Sequence, residues 1–326
     1  MRATATVAPT KIQGLCRRGD RPRSPEIRYY EGRYMMLNYR SVAELVELAD
    51  KNNQTISCLV LADQAMQMDI PESEIIARMK ESLDVMQKSS EKGLQPGLKS
   101  VSGLSGGDGY KAHMYAAKGR ALGGSFCAAA TALALAIQEY NAAMGKIVAT
   151  PTAGSCGILP AGVLTMMDQR NASEEQAIMA LITAGAVGMV IANEAHVSGA
   201  QGGCQAECGS AAAMTAAALV EMSGGSNSMA AHAAAIALQN LMGLVCDPVA
   251  GLVEVPCILR NGGSIAIAIN SADLALSGVE SVIPIDEVIH AMNEVGNAMP
   301  ESLRETSQGG LAATPTGKAI YEKIFG

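Results

Sequence analysis

Two cysteines in the stretch LVCDPVAGLVEVPCILRN, residues 244–261, are placed as chemically active thiols would be. Cys246 and Cys257 lie eleven residues apart, with Pro248 close after the first and Pro256 directly before the second. Because prolines fix the backbone and interrupt helices, we expect both thiols to lie on rigid, irregular chain. A cysteine that only fills space in a core does not need such positioning, so the stretch predicts thiols held for chemistry.

A second polar stretch, NEAHVSGAQGGCQAECGS at 193–210, interrupts an otherwise apolar region. Cys204 and Cys208 are four residues apart and would share one face of a helix, where they could share a metal or a core stripe. His196 and Glu194 lie just before them. A single histidine beside an apolar helix is more often part of a hydrogen-bonded structure than a catalyst, and both interpretations stay open.

The cysteine spacings argue against a zinc site and favour another metal group. Structural zinc sites use paired Cys-x2-Cys or Cys/His ligands, and the intervals of four, 38 and eleven residues found here do not fit them. Single cysteines that converge from loops rich in Gly and Pro suit an iron–sulfur cluster better. Eight cysteines without a secretory signal also indicate a reducing, cytoplasmic location with free or metal-bound thiols.

Two glycine-rich loops could bind a small anion through their backbone amides. The sequence SGLSGGDG at 102–109 matches neither the dinucleotide nor the Walker pattern, so it predicts a carboxylate site or a flexible hinge. The loop ATPTAGSCGILP at 149–160 adds the hydroxyls of Thr152 and Ser155. Its Cys156 could be a nucleophile, a ligand or a buried packing residue.

The elements that must position these residues are mostly helices. Aromatic residues make up only 3% of the chain, and Ala, Gly and Met take their place, which allows helices to approach closely. We expect a mainly α fold, a compact bundle of small-residue helices with Gly/Pro-rich loops forming the site. The predicted helices are 41–50, 72–90, 124–144, 173–193, 208–222 and 229–244. The apolar run 177–192 is short for a membrane span and predicts a buried core helix.

The chain divides into three predicted regions. Residues 1–35 carry eight Lys/Arg and three Asp/Glu without apolar periodicity, which predicts a disordered extension or a translation start wrongly placed before Met35 or Met36. Residues 36–92 form an N-terminal helical region, and 93–326 form the main domain. The net charge of −7 argues against nucleic acid as a partner.

Several long motifs, taken together, resemble one family. SGLSGGDG, PTAGSCGILP, GAQGGCQAECG, LVCDPVAGLVEVPCILRN and SLRETSQGGLA occur in this order. They closely resemble those of the iron–sulfur-dependent L-serine dehydratases, specifically the alpha chain of the two-subunit form. The resemblance covers almost everything from residue 36 to the end.

The resemblance implies a ligand set. Three family motifs, Gly-Cys-Gln, Cys-Asp-Pro and Pro-Cys-Ile, hold a 4Fe–4S cluster, and they correspond to Cys204, Cys246 and Cys257 here. Cys208 and Cys156 are then packing thiols. Some single-chain relatives have a C-terminal cysteine that reaches the fourth iron. No cysteine follows Cys257, so we expect that iron to be open to water or substrate.

The resemblance also implies a reaction, the loss of water from L-serine to give pyruvate and ammonia. His196 and Glu194 are the candidate bases, unless a separately encoded beta subunit supplies the base. The two glycine-rich loops would bind the substrate, and Arg260 would contact it or its neighbours. The predicted substrate-binding residues are Ser105, Gly106, Gly107, Asp108, Thr152, Ser155 and Arg260. An L-cysteine desulfidase of similar architecture and a non-enzymatic iron–sulfur sensor are the alternatives.

Overall fold

A computed structural model describes residues 39–326, so the expected N-terminal extension, residues 1–35, lies outside the described residues. The mainly α fold is confirmed: within 39–326 there are thirteen α-helices, and the one β-bridge, between Cys246 and Arg304, is isolated. The helices are α1 Val42–Lys51, α2 Ile56–Met68, α3 Glu72–Gly93, α4 Asp108–Ala116, α5 Gly124–Ala142, α6 Ile158–Arg170, α7 Glu174–Glu194, α8 Gly199–Gly202, α9 Ser210–Met222, α10 Asn227–Leu241, α11 Cys257–Leu276, α12 Ile285–Ala298 and α13 Pro315–Phe325.

Side-chain caps fix the beginnings of several predicted helices. At the start of α7, the Ser173 side chain accepts from the Gln176 amide while Gln176 accepts from the Ser173 amide, which completes a capping box. At the start of α1, the Ser41 hydroxyl accepts from the Glu44 amide. All six predicted helices are present, with ends within a few residues of those expected.

The centre of the molecule is α9, which packs against α6, α7, α10 and α11. Every residue from Ser210 to Val220 is buried, and six of these are alanines. With methyl side chains, the neighbouring helices approach closely and fill the core at high density. This centre is continuous with the helical segment that carries Cys204 and Cys208.

The N-terminal helices belong to the same core. Helix α1 packs on α10, α2 on α7, and α3 on both α5 and α7. Their buried residues, including Leu45, Leu59 and Leu83, join one continuous hydrophobic cluster with the central helices. The residues on both sides of the predicted boundary near residue 92 therefore contribute to one hydrophobic core.

Helix α7 is the one described helix long and apolar enough to cross a membrane. Within its most apolar window, 72% of the residues are buried inside the protein. Its neighbours α2, α6 and α9 cover it, as expected for a buried core helix.

Candidate metal centre

Three buried cysteines reach the candidate site from three pieces of chain. Cys204 lies between α8 and a single π-helical turn, Gln205–Gly209, that continues into α9. Cys246 lies outside the helices, in extended chain after α10, as predicted. Cys257 instead is the first residue of α11. The prediction of irregular chain is wrong there because a proline directly before the first helical residue, Pro256, does not interrupt the helix.

Two of these sulfurs meet a carboxylate. The Sγ atoms of Cys204 and Cys246 and a carboxylate oxygen of Glu207 lie within 4.8 Å of one another. Each of the two cysteines is only 2% exposed, and Cys257, outside this triple, is 6% exposed. Burial and the negative charge on Cys204 raise the pKa of Cys257, so its sulfur also lies in the field of the triple.

One thiolate is stabilised among protonated neighbours. Hydrogen bonds from Cys208 and Cys246, together with the positive charge of Arg260, lower the pKa of Cys204 to about 3 despite its burial. The pKa values of Cys208 and Cys246 are raised, mainly because each thiol donates a hydrogen bond to Cys204 and secondly because both are buried. Because the thiolate is the form that binds metal, the centre favours the ligand form at Cys204.

The donor set fits an iron–sulfur cluster. Cysteine thiolates are the usual ligands of such clusters, and three buried cysteine sulfurs lie in this one region. The backbone of Gly199 packs closely against these donors, since a Cβ atom there would lie 2.8 Å from Cys246 Sγ and 3.0 Å from a Glu207 oxygen. Among the other described cysteines, Cys58 is disulfide-bonded, contrary to the expectation of free or metal-bound thiols.

Arg260 contacts the cysteine loops themselves. Its Nη1 donates to Cys204 Sγ at 3.4 Å and to the carbonyl of Val245 at 2.7 Å, and its Nη2 donates to Asp247 Oδ1 at 2.8 Å. The other Asp247 oxygen accepts from the amide of Leu311 at 2.7 Å. These contacts hold the Cys204 and Cys246 segments together, while the predicted contact of Arg260 with substrate stays a prediction.

Glu207 connects the centre to the 149–160 loop. The Thr152 hydroxyl donates to its carboxylate, and a Cβ at Gly154 would lie 3.0 Å from it. Burial, followed by the charge on Cys204, raises the pKa of Glu207 to about 7. The Ser155 hydroxyl lies 3.2 Å from that of Thr152 and donates to the Thr150 carbonyl at 3.1 Å. Thr152 therefore lies beside the centre, and Ser155 supports its loop.

The first glycine-rich loop is tied to the segment before Cys257. Buried Glu254 accepts hydrogen bonds from the hydroxyls of Ser102, at 2.7 Å, and Ser105, at 2.5 Å. Gly106 has a φ of +129°, and a Cβ there would lie 2.3 Å from the carbonyl oxygen of Leu98. The loop therefore needs glycine at this position, and Ser105 is engaged by a protein carboxylate.

The amides at the end of this loop also have a partner within the protein. Buried Glu139 accepts from the amide of Asp108 at 2.8 Å and of Gly109 at 3.0 Å, and also from that of Gly107. The carboxylate of Asp108 is half-exposed and pairs with Lys111 at 2.7 Å. The predicted anion site is thus occupied by a side chain of the chain itself, and substrate binding at Gly107 and Asp108 stays a prediction.

His196 and Glu194 lie on the exposed side of the site. His196 is exposed and lines a cleft of about 620 Å³, together with Gln201, Arg304 and Glu305. Glu194, the last residue of α7, is exposed and does not line this cleft. Of the two candidate bases, His196 lines the cleft and Glu194 does not, and the role of either as the base stays a prediction.

The segment 301–306 completes the site, although the sequence assigned no function to it. The amide of Cys246 donates to the carbonyl of Leu303 at 2.8 Å, and the amide of Glu305 donates to the carbonyl of Cys246 at 2.7 Å. Glu305 and Ser307 have φ values of +64° and +58°, which non-glycine residues rarely adopt. Strained backbone of this kind occurs often at functional sites. Both residues belong to the SLRETSQGGLA motif, which was the signal in the sequence that could have drawn attention to this segment.

Comparison with known proteins agrees with the motifs. The family model described as "Serine dehydratase alpha chain" matches residues 50–312. A "Probable L-serine dehydratase, alpha chain" of Bacillus subtilis is 49% identical over 288 residues, which are 88% of this chain and 96% of that protein. The "L-serine dehydratase, alpha chain" of Peptoniphilus asaccharolyticus is 45% identical, over 87% of this chain and 97% of its own length.

A longer relative shows a different chain arrangement. An "L-serine dehydratase" of Streptomyces coelicolor is 38% identical over 84% of this chain, but the match covers only 60% of that protein. The matched part thus occurs both as most of a separate alpha chain and as part of a larger chain.

Proposed function

The chain belongs to the serine dehydratase alpha chain family, and we propose that it is the catalytic alpha subunit of an iron–sulfur L-serine dehydratase. This lyase converts L-serine to pyruvate and ammonia: the substrate loses its Cα proton and its hydroxyl as water. The resulting aminoacrylate tautomerises and is hydrolysed. Residues 93–326 form the catalytic domain of the proposal, and 36–92 form the helical region packed on it.

A 4Fe–4S cluster held by Cys204, Cys246 and Cys257 is the proposed cofactor. The convergence of buried cysteine sulfurs beside an open cleft is the observation that carries the proposal. When bound, such a cluster supplies a Lewis acid that assists departure of the substrate hydroxyl. Arg260 and Asp247 position the ligand loops, because their hydrogen bonds join the Cys204 and Cys246 segments.

The remaining chemistry falls to polar residues of the chain. His196, at the cleft surface, takes the proton from the substrate Cα; Glu194 is the second candidate base. The other proposed substrate contacts are on the two glycine-rich loops, at Thr152 and Ser155 on one and at Ser105 to Asp108 on the other. The Thr152 loop orients the substrate. The first glycine-rich loop, whose amides and Ser105 hydroxyl are engaged by Glu139 and Glu254, keeps water away from the reacting carbons.

A separate beta subunit is the proposed partner. Two of the relatives are named alpha chains, and the longer Streptomyces protein contains additional sequence in one polypeptide. An active site that releases an unstable enamine needs a cover, and His196 and the cleft are exposed in this chain. We propose that the beta subunit covers this face in a cytoplasmic complex, without nucleic acid or membrane as partners.

The test is pyruvate formation by protein purified without oxygen, with and without its beta subunit. The preparation should be brown, with about four irons per alpha chain, and should lose activity in air. L-Serine should be turned over and L-cysteine should not, which separates a dehydratase from a desulfidase. An iron-loaded complex that forms no pyruvate from L-serine would contradict the proposed function.

A further inference from the structure

The cleft beside the metal centre contains Arg304, which forms no ion pair with any of residues 39–326. Its walls include His196, Gln201, Glu301, Arg304 and Glu305. The main chain on either side of Arg304 is bonded to Cys246, through the carbonyl of residue 303 and the amide of residue 305. The Arg304 side chain thus emerges into the cleft from backbone that is fixed directly to a proposed cluster ligand.

The donors of Arg304 are poorly used within the chain. Its Nε atom is buried and has no hydrogen-bond partner among residues 39–326. Its Nη1 makes one long contact of 3.4 Å to the carbonyl of Gln201. Among the described residues it forms no ion pair, unlike Arg260, which is bonded to Asp247. Because the protein encloses Nε, the Nη groups, which make only this one long contact within residues 39–326, are the donors that a ligand in the cleft can reach.

The glycine-rich loop does not supply free donors for a substrate carboxylate. Three of its amides, at Gly107, Asp108 and Gly109, already donate to Glu139, and Ser105 donates to Glu254. A substrate carboxylate therefore needs another donor group. The planar fork of an arginine matches a carboxylate with two parallel hydrogen bonds.

We propose that Arg304 binds the carboxylate of L-serine, an assignment that rests on the proposed function. The amino group of the substrate is a cation, and the cleft also offers the carboxylates of Glu301 and Glu305. With the carboxylate on Arg304, the rest of the substrate lies between His196 and the cysteine loops. Arg304 is then the residue that selects for an α-carboxylate, whereas Arg260 serves the cysteine loops.

The test uses Arg304→Met and Arg304→Lys in the iron-loaded complex with the beta subunit. Arg304→Met should raise KM for L-serine by about 100-fold, and Arg304→Lys, which keeps the charge, by less. Iron content and cluster absorption should remain at wild-type values, because the bonds to Cys246 come from the main chain. Arg78→Met, which removes an exposed arginine of α3 paired with Glu74, is the matched control and should keep wild-type kinetics.

Two substrate fragments give a readout that does not need turnover. Measured by calorimetry, binding of 3-hydroxypropionate, which has the carboxylate and hydroxyl, should be lost in Arg304→Met. Binding of ethanolamine, which has the amine and hydroxyl only, should be unchanged. An equal loss of both ligands, or a loss of iron, would assign Arg304 a structural role and overturn the inference.

The two hypotheses fail in different ways. If the wild-type complex binds 3-hydroxypropionate through Arg304 but forms no pyruvate, the proposed function fails and the carboxylate site remains. If the wild type forms pyruvate and Arg304→Met has an unchanged KM, the function stands and the Arg304 assignment is wrong.

Discussion

At the scale of single residues, the polar contacts of the centre converge on Cys204. Cys208, Cys246 and Arg260 all donate hydrogen bonds toward its sulfur. Hydrogen bonds to a ligand sulfur withdraw electron density and tune a cluster. Cys208 is thus a neighbour of the proposed cluster as well as a core residue, and its contribution can be separated from that of the ligands.

Serine substitutions should distinguish ligands from neighbours. Cys204→Ser, Cys246→Ser and Cys257→Ser should each abolish the cluster, because a hydroxyl does not replace a thiolate ligand. Cys208→Ser should retain the cluster, because the serine hydroxyl replaces one hydrogen-bond donor by another. Cys156→Ser should also retain it, because Cys156 donates to Gln138 and is not one of the three proposed ligands. Iron analysis and cluster absorption are the measurements, and retained absorption in Cys246→Ser would disprove the ligand assignment.

The exposed histidine should act on rate without affecting the cluster. If His196 is the base, His196→Ala should lower kcat by about 100-fold, the usual contribution of a positioned proton acceptor. Iron content should not change, because His196 lies on the exposed side of the cleft. His290→Ala, at an exposed histidine of α12 paired with Glu294, is the control. A near-normal rate for His196→Ala would move the role to Glu194 or to the beta subunit.

At the scale of elements, the segment 310–313 holds the Cys246 loop from outside. The Leu311 amide donates to Asp247, which in turn holds Arg260. Gly310, at φ +58°, approaches so closely that a Cβ would lie 2.2 Å from Asp247 Oδ2. The arrangement of the ligand loop therefore depends on a glycine more than fifty residues away in sequence.

Gly310→Ala should loosen the ligand loop. The added methyl group must displace Asp247, so the Asp247–Arg260 pair should weaken and the iron content should fall. Gly278→Ala is the matched control, since Gly278 also has a positive φ, of +93°, but nothing lies within 4 Å of its Cβ position. By denaturant unfolding, Gly310→Ala should be less stable than the control by about 1–3 kcal/mol. Equal stability and equal iron content would show that Asp247 adapts.

Local signals predicted the helices better than the site. Caps such as Ser173 with Gln176 mark helix starts within a few residues of sequence, so α7 could be predicted from periodicity and composition. The sequence does not reveal the start of α11 at Cys257, because Pro256 is compatible both with a break in a helix and with the residue before its first turn. The proposed ligands rested on motifs of a resembled family, which name residues without giving their distances.

Long-range contacts explain what the sequence could not give. The bonds of Glu254 with Ser102 and Ser105 span about 150 residues, and those of Cys246 with the 303–305 segment nearly sixty. No spacing rule connects residues that far apart, so the role of Arg304 in the cleft could be inferred only from the fold. Glu139 likewise gave no sign in sequence that it bonds the loop amides.

At the scale of the whole molecule, a buried acid joins three core helices. Glu221 of α9 accepts hydrogen bonds from the hydroxyls of Ser57 on α2 and Thr183 on α7. Burial raises the pKa of Glu221, and the two hydroxyls only partly offset this effect. The small-residue core thus contains a carboxyl group whose charged form is less stable in the folded protein than in the unfolded chain.

This difference sets a pH dependence of stability. A carboxyl group with a raised pKa in the folded state contributes stability that is fully present below its unfolded pKa, near 4.5, and is lost as the pH rises through the folded pKa. Glu221→Gln cannot ionise, so its free energy of unfolding relative to wild type should increase with rising pH and then level off. Denaturant unfolding of the reduced, iron-free alpha chain at a series of pH values measures it. Glu91→Gln, at an exposed position on α3, is the control and should show no such trend. A Glu221→Gln stability curve parallel to that of the wild type would mean that the folded protein tolerates the buried charge at no cost.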